Sequence, residues 1–234
     1  MKTLLKNNLE QVKANISAAC KRSGRNIDDV TLIAVSKTKP LSDIEELISY
    51  GTTEFGENKV QELVEKYENV STPVNWHLIG HLQTNKVKYI VDKAKLIHSV
   101  DSLHLAKEIE KEAAKRNVIA NVLIQVNIAH EDTKFGIDES EIFDLIDEIK
   151  DFKHIKVKGL MTIAPFVENP EENRVHFRNL YQLLLDIKSK NIDNIDMSIL
   201  SMGMTNDYEV AIEEGATMVR VGTGIFGERN YNIV

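Results

Sequence analysis

The sequence predicts an α/β fold, a single (β/α)8 TIM barrel with one extra helix at its N-terminus. Short runs rich in Val, Ile and Leu recur eight times, and segments with helical periodicity separate them seven times. This is the count of a closed barrel. A doubly wound open sheet stays open as the alternative, because strand order is not visible in one sequence. No Pro- or Ser-rich linker interrupts the chain, so we expect residues 1–234 to form one domain.

The extra helix is predicted from one apolar stripe at the start of the chain. Its members recur three or four residues apart, as on one helix face: Leu5, Leu9, Val12, Ile16 and Ala19. Gly24 is a typical C-terminal stop for this helix.

The repeating part follows Gly24. We predict strands at residues 30–36, 52–56, 75–80, 96–100, 121–128, 157–163, 196–201 and 217–222. We predict the intervening helices at residues 43–50, 59–67, 85–92, 103–116, 139–150, 171–188 and 207–214. Ser42 and Ser102 stand where N-caps belong, and Gly51 and Gly215 follow two of the helices as C-cap residues.

The composition excludes several classes of partner. The chain has 29 Lys and Arg against 36 Asp and Glu, a formal charge of −7, which disfavours binding to nucleic acid or to an anionic membrane. The single cysteine, Cys20, cannot form an internal disulfide, which suggests a reducing compartment. No apolar run approaches the roughly 18 residues of a membrane span, and the first residues do not form a signal peptide. We therefore expect a cytoplasmic protein that handles a small molecule.

A lysine at the end of the first strand is the first candidate site residue. Ile33, Val35 and Lys37 share one face of that strand, so Lys37 enters the barrel mouth if the other two fill the barrel. Partial desolvation would favour the neutral amine, a nucleophile toward carbonyl groups. A strand-end lysine that reaches into water is the alternative interpretation.

The last two strand-to-helix junctions resemble a phosphate site. The seventh contains Ser201, Met202, Gly203 and Thr205, and the eighth contains Gly222 and Thr223. Barrels frequently bind phosphate at these two junctions, where glycine allows close approach and hydroxyl groups donate hydrogen bonds.

Arg220 is predicted to lie inside the barrel, because it shares a strand face with Gly222. Its guanidinium would then bond either to an inward carboxylate or to a ligand's ring nitrogen or carboxylate. Other chemistry has less support. His77 and His81 are four residues apart but not on a helix, so we predict no metal site.

Seven segments in the same order are similar to those of the YggS/PROSC family of pyridoxal phosphate (PLP) homeostasis proteins. They are AVSKTKP around Lys37, FGENKVQE around Asn58, WHLIGHLQTNK around His81, VNIAHEDTKFG around Asn127, KGLMTIAP around Met161, LSMGMTNDYEVAI around Ser201 and MVRVGTGIFGER around Arg220. The resemblance covers nearly the whole chain. It implies the barrel of alanine racemase, a fold-type III PLP fold, with PLP held as an internal aldimine.

The resemblance also implies roles for individual residues. Lys37 would form the Schiff base, Arg220 would face the pyridine nitrogen, and Asn58 would lie near the ring hydroxyl. The phosphate would be surrounded by Ser201, Met202, Gly203, Thr205, Gly222 and Thr223. Thr205 stands where the family commonly has Ser, and the hydroxyl is kept.

The implied function is PLP (vitamin B6) homeostasis and amino-acid balance, without strong catalysis. Arg220 only donates, so the ring nitrogen stays unprotonated and PLP is a weaker electron sink. The β domain that supplies a second acid/base in racemases is not expected here, and we therefore expect a monomer. The resemblance also implies that the protein exchanges PLP with apoenzymes. The alternatives are a racemase with Lys37 as its only base, and an aldolase that forms a Schiff base without a cofactor.

Overall fold

Eight parallel strands close into a barrel in the computed structural model of the protein, which describes residues 2–131 and 134–228. The strands are β1 (Thr31–Val35), β2 (Glu54–Glu57), β3 (Asn75–Leu78), β4 (Leu96–Val100), β5 (Ala120–Gln125), β6 (Ile155–Met161), β7 (Ile195–Met204) and β8 (Met218–Val221). Each strand pairs with the next, and β8 returns to β1 with Arg220 beside Ile33. Closure confirms the predicted barrel and excludes the open sheet.

The helices surround the barrel on its outside. They are α1 (Lys2–Arg22), α2 (Leu41–Ser49), α3 (Val60–Asn69), α4 (Leu103–Arg116), α5 (Ile142–Ile149), α6 (Arg174–Ser189), α7 (Tyr208–Glu213) and a short α8 (Thr223–Phe226). Single 3₁₀ turns at Glu139–Glu141 and Pro170–Asn173 lead into α5 and α6. The connection predicted as a helix at 85–92 is instead a 3₁₀ helix at Thr84–Tyr89.

Two of the predicted caps have different outcomes. The hydroxyl of Ser102 accepts a hydrogen bond from the Leu105 amide, as expected of an N-cap. The prediction for Ser42 is wrong, because α2 begins one residue earlier, at Leu41, with Pro40 in the cap position. Proline fixes its own φ near the helical value and lacks the N–H, so it suits the start of a helix.

Apolar side chains form two separate layers. The larger lies between the strands and the helices, and the stripe of α1 belongs to it, with Leu9 only 2% exposed. A smaller cluster lies inside the barrel, with Leu96, Leu123 and Met161 at its centre. Alternation along each strand divides side chains between these layers. The interior cluster occupies only part of the barrel, and both apolar and polar side chains fill the rest.

Candidate cofactor site

Lys37 stands two residues after the end of β1, and the alternation predicted for this strand is confirmed. Ala34 packs in the outer layer. Ile33 is on the inner side, because its Cγ2 atom lies 2.9 Å from where a Cβ on Gly56 would stand, next to Ile79. Lys37 follows Ile33 and Val35 in this alternation and is half-buried. The mouth of the barrel is therefore next to Lys37.

A buried network holds the backbone just before Lys37. The Ser36 hydroxyl donates to Glu57 Oε1 at 2.6 Å, and Lys66 Nζ donates to the same oxygen at 2.7 Å. Lys66 also donates to the Ser36 carbonyl at 2.8 Å. Burial raises the pKa of Glu57, although Lys66 and Ser36 act in the opposite direction. Three buried polar side chains thus fix the strand end from behind.

The residue after Lys37 is strained. Thr38 has φ = 64°, a left-handed conformation that β-branched residues rarely adopt. Its amide donates to Glu62 Oε2 at 2.7 Å, and Glu62 lies 3.6 Å from Lys66 Nζ. Such a conformation costs about 1–3 kcal/mol and persists only where surrounding contacts impose it. Both neighbours of Lys37 are therefore held in place, which restricts the direction of the lysine side chain.

Arg220 lies inside the barrel, as alternation predicted, and is 4% exposed. Its Nη1 donates to Ser201 Oγ at 2.6 Å and its Nη2 donates to the Thr162 carbonyl at 2.7 Å. No carboxylate among the residues 2–131 and 134–228 forms an ion pair with it, so a ligand remains the better of the two predicted partners. Burial lowers the pKa of Arg220 to about 10, with Asp207 opposing the shift, so the guanidinium is charged at neutral pH.

The seventh and eighth junctions are bonded to each other. Thr205 Oγ1 accepts from the amides of Gly222 and Gly224, each at 3.3 Å. Gly203 has φ = 86°, and a Cβ there would stand 2.5 Å from the Cβ of Ala211. Only glycine fits at this position. The junctions form one rigid unit of glycine backbone and hydroxyl groups.

The predicted phosphate residues separate into two sets. Thr205 is half-buried and Thr223 is exposed, and both lie at the junctions with Gly203 and Gly222. The side chains of Ser201 and Met202 lie elsewhere: Ser201 bonds to Arg220 inside the barrel, and Met202 packs in the outer layer. For these two residues only the backbone is available at the junction.

Asn58 is half-buried at the end of β2, the strand beside β1. A Cβ on Gly80 would stand 2.3 Å from the Asn58 carbonyl oxygen, so the glycine lets the second and third junctions meet. The first junction meets the eighth as well, because Lys39 Nζ donates to the Phe226 carbonyl at 3.2 Å. The site residues thus come from four adjacent junctions at one end of the barrel.

Sequence reasoning missed a row of polar groups behind Arg220. His98 Nδ1 lies 3.0 Å from Ser201 Oγ, His98 Nε2 lies 2.9 Å from His77 Nδ1, and His77 Nε2 lies 2.7 Å from Glu54 Oε2. On the sequence alone, His77 is considered only as a metal ligand. The alternation that placed Arg220 also places His77 and His98 inside, and this signal could have found them. No group of three or more potential ligands in the described part of the chain forms a metal site.

The barrel and this site define the class of protein. The family model of the alanine racemase N-terminal domain matches residues 7–230. The described helices include none long and apolar enough to cross a membrane.

Close relatives narrow this class. A pyridoxal phosphate homeostasis protein of Aquifex aeolicus is 46% identical over 224 residues, which cover 95% of this chain and 97% of the relative. Another, from Escherichia coli K12, is 40% identical over 230 residues, covering 96% and 97%. The chain belongs to the family of pyridoxal phosphate homeostasis proteins, which confirms the resemblance found in the sequence.

A solved structure agrees with the relatives. PipY of Synechococcus elongatus, determined with PLP bound, is similar with a TM-score of 0.80 and 31% identity, covering 91% of this chain and 100% of PipY.

Proposed function

We propose that this protein binds PLP through a Schiff base on Lys37 and acts in intracellular PLP homeostasis and amino-acid balance, without strong catalysis of its own. The observation that carries the proposal is the pairing of two features in one barrel mouth. One is a lysine whose neighbours are both held in place, and the other is a buried arginine that no carboxylate in the described chain neutralises.

The chemistry of the donor set fits PLP. The aldehyde needs an amine, which Lys37 supplies, and the ring nitrogen is an acceptor that suits Arg220. The phosphate needs several donors, and the junctions at Gly203, Thr205 and Gly222 offer amides and hydroxyl groups. The three atoms nearest to a Cβ on Gly222 would belong to Val35, at 3.5 Å or more, so the backbone there is not crowded.

The remaining assignments follow the family resemblance. We propose that Thr223 and the backbone of Ser201 and Met202 complete the phosphate site, and that Asn58 lies near the ring hydroxyl.

Arg220 accounts for the absence of strong catalysis in this proposal. PLP, when bound, withdraws electrons from an attached amino acid most strongly if its ring nitrogen is protonated. Arg220 remains charged at neutral pH and only donates, so it favours an unprotonated nitrogen. In this role the protein would act in the cytoplasm as a monomer, one that exchanges PLP with apoenzymes.

The test compares two lysines two residues apart. Protein mixed with PLP should absorb near ~420 nm, and borohydride should fix a pyridoxyl group on Lys37. Lys37→Ala should lose both signals, whereas the control Lys39→Ala should keep them. Mass mapping of the reduced peptide identifies the lysine. An adduct that persists in Lys37→Ala, or none in the parent protein, would refute the proposal.

A racemase with Lys37 as base is the second candidate, favoured by the match to the alanine racemase domain. Incubation with L-alanine in deuterated water separates the two. A carrier should exchange the α-proton slowly and form no D-alanine on the timescale of PLP exchange. Rapid exchange with formation of D-alanine would favour the racemase.

A further inference from the structure

The polar row behind Arg220 crosses the barrel from its mouth to the opposite end. Arg220 and Ser201 lie at the site, and His98 and His77 continue the row inward. Glu54, the first residue of β2, ends it. Glu54 lines a cavity of about 270 Å³ together with the first residues of other strands: Thr31, Asn75 and Leu96. One hydrogen-bonded row therefore joins the cofactor site to a cavity at the amino-terminal end.

The protons that each group can carry allow only two patterns of hydrogen-bond donors and acceptors along this row. Arg220 can only donate, so Ser201 Oγ accepts from it. Burial and the charges of His77 and Arg220 hold the pKa of His98 well below its ordinary value, so His98 is neutral and carries one ring proton. Burial alone would raise the pKa of Glu54, but hydrogen bonds from His77 and Asn75 lower it below its usual range. Glu54 is thus an acceptor at neutral pH.

The first arrangement has a neutral His77. His77 Nε2–H donates to Glu54, His98 Nε2–H donates to His77 Nδ1, and the Ser201 hydroxyl donates to His98 Nδ1. Every bond then points from Arg220 toward Glu54.

In the second arrangement His77 carries two ring protons. His77 Nδ1–H donates to His98 Nε2, and His98 Nδ1–H donates to Ser201 Oγ. The proton that His77 gains is the one that His98 releases from Nε2. His98 takes the Ser201 proton at Nδ1, and Ser201 is reprotonated from the site, so the net change is one proton transferred from the site to His77. His98 is neutral in both.

We propose that Ser201 and His98 form a proton path between the cofactor site and His77, which is hydrogen-bonded to Glu54, and that the protonation of His77 selects the tautomer of His98. His98 and His77 are positioning residues in this proposal. They determine whether the Ser201 hydroxyl donates into the barrel or toward the bound ligand. This consequence at the ligand rests on the proposed function, whereas the path itself does not.

Titratable and charged groups face His77 from several elements. Glu54 lies on β2 and His98 on β4, both in hydrogen-bond contact with it. Lys95 and Lys158 line the same cavity, and Lys158 Nζ is paired with Asp196 at 2.6 Å. Arg220 adds a positive charge from the mouth side. Glu54 is the carboxylate in direct contact with His77, so it is the residue to change.

Nitrogen-15 NMR of the histidine rings in the full chain without PLP tests the path directly. As pH falls, His77 should gain a second ring proton, and His98 should change from the Nε2–H to the Nδ1–H tautomer with the same midpoint. His98 should never become doubly protonated in the folded protein. A fixed His98 tautomer, a doubly protonated His98, or a His77 that does not titrate while the protein is folded would each overturn the inference.

A matched pair of variants checks the role of Glu54. Glu54→Gln removes the carboxylate beside His77, so the tautomer change should move to lower pH. Glu110→Gln removes the carboxylate 2.9 Å from His154 on the outside of the barrel and should leave the change where it was. An equal effect of both variants, or none from Glu54→Gln, would contradict the proposal.

A second experiment, with PLP added, separates this inference from the proposed function. If PLP binds, its absorption spectrum should change with pH at the midpoint measured for His98, and Glu54→Gln should shift both together. A spectrum that stays constant through the tautomer change overturns the link to the site. Failure of PLP to bind refutes the proposed function and leaves the NMR result standing.

Discussion

At the scale of single residues, this barrel interior is organised by matched donors and acceptors rather than by ion pairs. Ser201 shows this most clearly, because its hydroxyl contacts both Arg220 and His98 and is fully buried. A buried donor left without a partner costs more than one hydrogen bond gains. Ser201 therefore matters for stability as well as for the site.

Ser201→Ala should lower the free energy of unfolding by about 1–3 kcal/mol, because Arg220 and His98 each lose a buried partner. Denaturant unfolding of the PLP-free protein measures this change in the free energy of unfolding. Ser49→Ala is the control, since the Ser49 hydroxyl is exposed and bonds to the Glu46 carbonyl of the same helix. It should change stability by less than about 0.5 kcal/mol. If the two variants are equally stable, the hydrogen bonds of Ser201 make no net contribution to the free energy of unfolding.

The sequence predicts directions at this scale but not partners. The alternation in β8 correctly placed Arg220 inside. It could not show that Ser201 and Thr162 hold the guanidinium, because Thr162 is 58 residues away and their contact depends on barrel register. The same holds for His98, which is 103 residues from Ser201.

At the scale of elements, α1 is held by one buried stripe. Leu9 lies on that stripe and is 2% exposed, whereas Leu4 on the same helix is 57% exposed. Leu9→Ala should therefore cost about 2–5 kcal/mol of unfolding free energy, from lost burial and the cavity left behind. Leu4→Ala should change it by less than about 0.5 kcal/mol. Denaturant unfolding measures the free energy of unfolding of both variants. A similar decrease in the two variants would mean that α1 does not pack as described.

Ion pairs connect α1 and α6 to α7. Glu213 accepts from Arg22 Nε at 2.6 Å and from Arg174 Nη2 at 2.7 Å. Partial burial raises the pKa of Glu213, but these two hydrogen bonds outweigh it and leave the pKa below its ordinary value. A carboxyl with a lowered pKa in the folded state contributes stability above its unfolded pKa, and that contribution is lost as pH falls through the folded pKa.

Glu213→Gln should therefore lose stability at neutral pH and show a weaker decline in acid than the parent protein. Unfolding in denaturant at a series of pH values measures both effects. Glu10→Gln is the control, because Glu10 lies 3.9 Å from Lys6 on the exposed side of α1. Its curve should follow that of the parent. If the two variants decline in parallel, the acid sensitivity arises elsewhere.

Elements were predictable where periodicity was long, and less so where it was short. All eight strands and the apolar stripe of α1 follow from the spacing of apolar residues. The apolar pattern of residues 85–92 does not distinguish an α-helix from the 3₁₀ helix that forms at Thr84–Tyr89. The start of α2 depended on Pro40, whose ring decides the first turn.

At the scale of the whole molecule, barrel closure depends on close backbone contacts that no local pattern reveals. Gly159 on β6 has φ = 154°, and a Cβ there would stand 1.8 Å from the Ile199 carbonyl oxygen on β7. The register between β6 and β7 shifts at this point. The glycine is visible in the sequence, but its reason appears only when both strands are in place.

Ligand binding should couple the junctions to the stability of the entire barrel. A ligand that binds only the folded state stabilises it by RT ln(1 + [L]/Kd), or about 2.7 kcal/mol at one hundred times Kd. We expect this gain for the parent protein with PLP. Thr205→Val keeps the side-chain shape but removes the hydroxyl that accepts from Gly222 and Gly224. Losing these bonds and a donor to phosphate should raise the Kd for PLP roughly tenfold.

At the same PLP concentration the gain in Thr205→Val should then fall to about 1.4 kcal/mol. Thr205→Ser keeps the hydroxyl and should retain most of the parent's gain. Thermal or denaturant unfolding with and without PLP measures each gain against the same variant without ligand, so any direct effect of the substitution on stability cancels. If Val and Ser at position 205 give the same gain, the hydroxyl does not support PLP binding, and the phosphate site has to be sought away from the bond between the seventh and eighth junctions.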